Sequence, residues 1–185
     1  YPYSIDVKDV DGDTDLDFVT VSSGSGKLSL FEQTGPLNFA EIIIDSSLSA
    51  PRSAVISDIN MDGQLDYCVA SSGDDMVYAY LATTGGMSYN KTIICDDCDN
   101  VYNIASDDID GNNYNDIISA NYNGNEIRLF LTDVSTSISP NNDKHIQLSN
   151  LESNYWISFT KPIKAILQVF NMMGQQVYYK SDYTS

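Results

Sequence analysis

Apolar residues fall in short runs of three to five, and the polar residues between them belong to turns. Phe18-Val19-Thr20-Val21, Tyr67-Cys68-Val69-Ala70 and Ile117-Ile118-Ser119-Ala120 are three such runs. Each is followed by a turn-rich insert: Ser22-Ser23-Gly24-Ser25-Gly26, Ser71-Ser72-Gly73-Asp74-Asp75 and Asn121-Tyr122-Asn123-Gly124-Asn125. An alternating run comes next, Leu28-Ser29-Leu30-Phe31, Val77-Tyr78-Ala79-Tyr80-Leu81 and Ile127-Arg128-Leu129-Phe130-Leu131. Two β-prone runs around a Gly/Asn/Asp turn predict a hairpin. Further β-prone runs, Ile42-Ile43-Ile44 and Thr92-Ile93-Ile94, and a shorter one, Ala54-Val55-Ile56, lead toward the next unit. Each unit therefore reads as about four short strands without a helix.

The acidic residues keep the same period. Asp9, Asp11, Asp13, Asp15 and Asp17 alternate along one stretch; Asp58, Asn60, Asp62 and Asp66 form a second cluster, and Asp108, Asp110, Asn112 and Asp116 a third. Asp9, Asp58 and Asp108 are 49 and 50 residues apart, and so are Asp17, Asp66 and Asp116. A period near 50 marks a repeat architecture, and four short strands per repeat fit one propeller blade. The expected fold is all-β: three four-stranded β-propeller blades over residues 1–135, a partial propeller, because closed propellers use about 4 to 8 blades. Uncovered blade edges invite aggregation. Together with a start at Tyr1-Pro2-Tyr3, without Met, they lead to the expectation of a fragment whose upstream blades are missing; closure by oligomerisation is the alternative.

The loops share one pattern: Asp, then Asp or Asn at positions 3 and 5, and a closing Asp at position 9. Alternate residues of a tight loop turn their oxygens inward, and such a set of hard ligands suits Ca²⁺. Five carboxylates between Asp9 and Asp17 would repel strongly without a counter-ion. An EF-hand-type loop needs a carboxylate at position 12, where this chain has Thr20, Val69 and Ser119. Position 6 is Thr14, Gly63 or Asn113. Gly and Asn accept a left-handed backbone and Thr does not, so the first loop, with Gly12 at position 4, is expected to turn differently.

Together these loops resemble FG-GAP/VCBS repeats, the calcium-loop blades of integrin-α-like propellers, over residues 1–135. The literal Phe-Gly and Gly-Ala-Pro signatures are absent, so the VCBS variety is nearer. The resemblance implies about three Ca²⁺ sites, with ligands at positions 1, 3, 5 and 9 and the position 7 carbonyl of Asp15, Gln64 and Tyr114. The neutral Asn112 makes the third site the expected weakest.

Residues 136–185 change character. Ser139-Pro140-Asn141-Asn142-Asp143 reads as a linker, and Tyr155–Phe159, Ala165–Phe170 and a run ending at Tyr179 read as strands of a small β-sandwich-like segment. The segment Ile166 to Val177 resembles part of a type IX secretion C-terminal sorting domain, although Asn142 replaces the usual second Pro and a final strand is missing. That resemblance implies export through the periplasm to the cell surface or medium.

Composition narrows the chemistry further. The chain carries 26 acidic and 9 basic residues among 185, a formal net charge of −17. Nucleic acid and anionic membranes are therefore not expected partners, and no apolar run approaches the roughly 20 residues of a membrane span. The single His145 has no partner by spacing and reads as a surface residue, and Trp156 reads as core. Tyr78, Tyr80, Tyr89, Tyr102 and Tyr122 are expected on blade surfaces. Cys95-Asp96-Asp97-Cys98 could be a redox motif, half a metal site or a small disulfide. Flanking acids disfavour a reactive thiolate, and in an exported chain a local disulfide is the expectation. Cys68 reads as a free, inert thiol. The expected function is non-catalytic: a calcium-binding propeller piece of an exported or cell-surface protein, used for adhesion or for binding protein or glycan. The alternative is an accessory region of a larger secreted enzyme.

Overall fold

The computed structural model describes residues 1–83, 88–132, 166–171 and 176–180. These residues form strands and turns; no helix long and apolar enough to cross a membrane occurs among them. β1 (Pro2–Lys8), β2 (Asp17–Ser22), β3 (Lys27–Gly35) and β4 (Asn38–Asp45) pair in that order as an antiparallel sheet. β5 (Pro51–Ser57), β6 (Asp66–Ser71), β7 (Met76–Ala82) and β8 (Tyr89–Cys95) repeat the arrangement. The third sheet starts the same way with β9 (Val101–Asp107), β10 (Asp116–Asn121) and β11 (Glu126–Leu131).

Its next neighbour departs from the repeat. β12 (Ile166–Asn171) pairs with β11 in parallel, Glu126 opposite Ile166, and β13 (Gln176–Lys180) pairs antiparallel with β12. β12, one of the runs read as strands of the C-terminal segment, thus lies along the edge of β11 in the third sheet. The Tyr155–Phe159 run, His145 and Trp156 lie outside the described residues.

The period-2 alternation of strands explains where the cores sit. In β6 every residue is buried, because both faces of the middle sheet are covered. Tyr67 and Val69 join Val19, Val21, Leu28 and Ile56 in one core, between the first and second sheets. Cys68 and Ala70 join Val77, Ile104, Ile117 and Phe130 in another, between the second and third. Each buried Val or Leu contributes about 1.5–3 kcal/mol relative to an exposed position. The continuous Tyr67–Ala70 run is thus the signature of a strand packed on both sides.

The first strands of the sheets lie side by side. Ser4 Oγ accepts from the Ala54 amide at 2.8 Å and Asp6 Oδ2 from the Ile56 amide at 2.8 Å, so β1 and β5 run in the same direction. Side chains of one sheet thereby cap the backbone edge of the next. At the outer rim, Asp45 accepts from Tyr80 Oη at 2.6 Å and Lys91 Nζ at 2.8 Å, tying β4 to the second sheet. Burial alone would raise the Asp45 carboxyl, but the bonds from Lys91, Tyr80 and Ser47 outweigh it and hold the group well below its ordinary 3.8.

Cys95 and Cys98 form a disulfide, as expected for the exported reading. Beside it Arg128 lies buried, paired with Glu126 at 2.6 Å and with Asp97, and its Nη1 is 3.2 Å from Cys95 Sγ. Cys68 is free and fully buried, and burial pushes its thiol up to about 12. At neutral pH it is protonated and unreactive.

Candidate metal-binding loops

Each acidic loop connects the first strand of a sheet to its second, and the three loops fold by the same hydrogen bonds. The first carboxylate spans the turn: Asp9 Oδ2 accepts from the Thr14 amide at 3.0 Å, Asp58 Oδ2 from Gly63 at 3.0 Å, and Asp108 Oδ2 from Asn113 at 2.9 Å. Position 3 accepts from the amide two residues on, Asp11 from Asp13, Asn60 from Asp62 and Asp110 from Asn112. Position 5 does likewise, Asp13 from Asp15, Asp62 from Gln64 and Asn112 from Tyr114. These side-chain turns explain why Asp and Asn, rather than Glu and Gln, occupy the alternate positions.

The closing aspartate does something the sequence pattern did not reveal. Asp17, Asp66 and Asp116 are at most 1% exposed. One oxygen accepts from the position 2 amide of the same loop, Val10, Ile59 or Ile109, at 2.8 to 3.0 Å. The other accepts from a residue 16 positions later, Gln33, Ala82 or Thr132, at 2.8 to 2.9 Å. The carboxylate therefore clamps the loop to the third strand of its sheet or to the residue just beyond it. A repeated polar partner could not have signalled this, because the donors are backbone amides. Burial pushes the Asp66 and Asp116 carboxyls up, against the pull of these amides.

The backbone corrects one expectation. Thr14 has φ of 79°, close to the 83° of Gly63 and 68° of Asn113, so all three loops are left-handed at position 6. Position 4 is left-handed too, in Gly12, Met61 and Gly111. The first loop does not turn differently: the amide bonds to the first carboxylate fix the turn, and Thr14 accepts the strain. For a β-branched residue that strain is roughly 1–2 kcal/mol. Thr14 is exposed and loses no packing on truncation. Thr14→Gly is expected to stabilise by about 0.5–1 kcal/mol after the greater freedom of unfolded Gly is subtracted. A lower melting temperature for that variant than for the parent would contradict this reading.

The carboxylate oxygens of Asp9, Asp11 and Asp17 lie within 4.8 Å of one another, and those of Asp108, Asp110 and Asp116 do the same. In these two loops positions 1, 3 and 9 thus converge, and position 5 adjoins position 3: Asn112 Nδ2 donates to Asp110 Oδ2 at 3.3 Å, and in the second loop Asp62 Oδ2 accepts from Asn60 Nδ2 at 3.2 Å. In the second loop position 3 is the neutral Asn60, and in the third position 5 is the neutral Asn112. By formal charge at positions 1, 3, 5 and 9 the first loop is therefore the most anionic, and the second and third each carry one charge fewer. The donor set is hard, oxygen-only and anionic, and fits a divalent ion such as Ca²⁺. Adjacent loops also touch: Asn115 Nδ2 donates to the Asp58 carbonyl at 3.3 Å.

No curated protein matches the chain. Residues 9–69, from the first loop through the second and into β6, match a family model described as an FG-GAP-like repeat.

Proposed function

We propose that the chain is a non-catalytic, calcium-binding part of a β-propeller in an exported or cell-surface protein, serving adhesion by binding protein or glycan. The observation that carries this reading is the loop repeated three times, in two copies of which three carboxylate oxygens lie within 4.8 Å of one another. In each loop an ion would draw positions 1 and 3 toward the closing aspartate, already clamped to its sheet. Calcium would thus act as a staple between the first strand and the rest of the blade. Three ions would reduce the formal charge from −17 to −11 and relieve self-repulsion.

The blade reading is supported by the faces of the sheets. Ala54 and Ile56 of β5 are each 3% exposed against the first sheet. Their repeat equivalents in β1, Ile5 and Val7, are 64% and 49% exposed. Another blade packed there would bury them as the first sheet buries Ala54 and Ile56, and we assign that place to upstream blades of the same protein. Export accords with the Cys95–Cys98 disulfide and with the C-terminal resemblance to a type IX sorting segment.

Calorimetric titration of calcium into chelator-treated protein tests the proposal. Dissociation constants of about 10⁻⁴ to 10⁻³ M are expected, as in extracellular calcium modules. Binding of Mg²⁺ as tightly as Ca²⁺, or no binding of either, would overturn it.

A further inference from the structure

At the end of the sheets opposite the acidic loops, three repeat-equivalent residues form a stack. Tyr3, Arg52 and Tyr102 sit near the starts of β1, β5 and β9, spaced 49 and 50 residues apart. The Arg52 guanidinium carbon lies 4.3 Å from the centre of the Tyr3 ring and 4.9 Å from that of Tyr102. Tyr122, from the β10–β11 turn, continues the row at 5.4 Å from Tyr102. The rings are open to solvent: Tyr3 is 52%, Tyr102 43% and Tyr122 73% exposed.

The chain's other arginine, Arg128, is buried between Glu126 and Asp97. Arg52 has no carboxylate within ion-pair distance among the described residues. Its Nε donates to Ser72 Oγ at 3.2 Å, and that hydroxyl donates to the Ala50 carbonyl at 2.9 Å. Two ring contacts and the Nε bond to Ser72 therefore hold the guanidinium in place. The terminal nitrogens are left as a preset fork of the kind that grips a carboxylate through two parallel bonds.

We propose that Arg52, flanked by Tyr3 and Tyr102, is the anchor of a protein-binding surface whose partner presents a single Asp or Glu carboxylate. The inference rests on reading the domain as a non-catalytic binding module, but not on occupancy of the acidic loops. Tyrosine and arginine are the residues that dominate interface energies, and the surrounding turns supply the Ser, Gly and Asn of adaptable binding loops. A polyanion, whether nucleic acid or a uronate-rich glycan, meets the repulsion of a chain at −17. One carboxylate meets less of it: the nearer Asp74 and Asp75 of the β6–β7 turn each accept a hydrogen bond, from Tyr78 Oη and from the Asn100 amide, and the acidic loops begin some six residues along each strand, roughly 20 Å away. That exceeds two screening lengths at physiological salt.

The test is selection of a random peptide library on phage against the immobilised, calcium-loaded protein, with Arg52→Gln as counter-target. Enriched peptides are expected to share an Asp or Glu. They should lose at least about tenfold in affinity for Arg52→Gln, and equally when that acid becomes its amide. Arg52→Lys, which keeps the charge but not the fork, should also bind more weakly. Peptides that bind Arg52→Gln as well as the parent overturn the proposal, as does a selection with no acidic consensus or no enrichment. Arg52-dependent binding seen only with a uronate oligosaccharide would give the site to a glycan and equally overturn it. Calcium titration of the same preparations separates the two readings. Unchanged calcium binding in Arg52→Gln shows an intact fold, and absent calcium binding with Arg52-dependent peptide binding removes the metal reading alone.

Discussion

In the presence of a chelator, Asp66→Ala is expected to lower stability by about 3–5 kcal/mol. The side chain is 0% exposed and accepts from the Ile59 amide at 2.9 Å and the Ala82 amide at 2.8 Å. Truncation leaves two buried donors without an acceptor, each costing roughly 1–3 kcal/mol, and removes charge-assisted bonds at the same time. For a domain of this size that corresponds to a fall of about 10 °C in melting temperature. Asp62→Ala, at the exposed position 5 of the same loop, loses only its turn bonds and should cost about 1 kcal/mol or less. A closing aspartate that mattered only as a metal ligand would make no difference without metal. Equal melting of Asp66→Ala and the parent in chelator would therefore refute the clamp.

The second large effect is calcium itself. At 10 mM ion and dissociation constants of about 10⁻⁴ to 10⁻³ M, each occupied loop adds roughly 1.4–2.7 kcal/mol. Three loops together should raise stability by about 4–8 kcal/mol, on the order of 10 °C or more in melting temperature. The gain should be unequal. Asp9→Asn should lose the most of it, since positions 1, 3, 5 and 9 of its loop are all charged, and Asp58→Asn less, since its loop already contains Asn60. A larger loss of calcium-dependent stabilisation from Asp58→Asn than from Asp9→Asn would reverse that ranking.

The parts legible in sequence are those in which side-chain chemistry dictates position. An oxygen ligand must be Asp or Asn to close a two-residue side-chain turn, so the three loops could be aligned residue by residue. Tyr67-Cys68-Val69-Ala70 was legible as a short β-prone run, and its burial on both faces came with the packing of the sheets. What sequence did not carry was set by the backbone or by distant contacts. Thr14 and Met61 take left-handed conformations because carboxylate bonds impose them, whatever their own preference. The partners of Asp17, Asp66 and Asp116 are amides, which every residue type but proline supplies. The parallel pairing of β12 with β11 joins segments with 34 residues between them, and no local pattern encodes it. Arg128 and Glu126 read as ordinary members of an alternating strand, yet the fold buries both beside the disulfide. Tyr3 and Arg52 belonged to the repeat all along, but a tyrosine and an arginine at equivalent positions give no match until their strands lie side by side.

The central claim, that the threefold loop is a threefold calcium site, is tested most directly by native mass spectrometry in millimolar calcium. The expected result is a folded chain carrying three calcium ions, with one ion lost in each of Asp9→Asn, Asp58→Asn and Asp108→Asn. A chain that retains its fold and carries no calcium, or loses none on these substitutions, would contradict it.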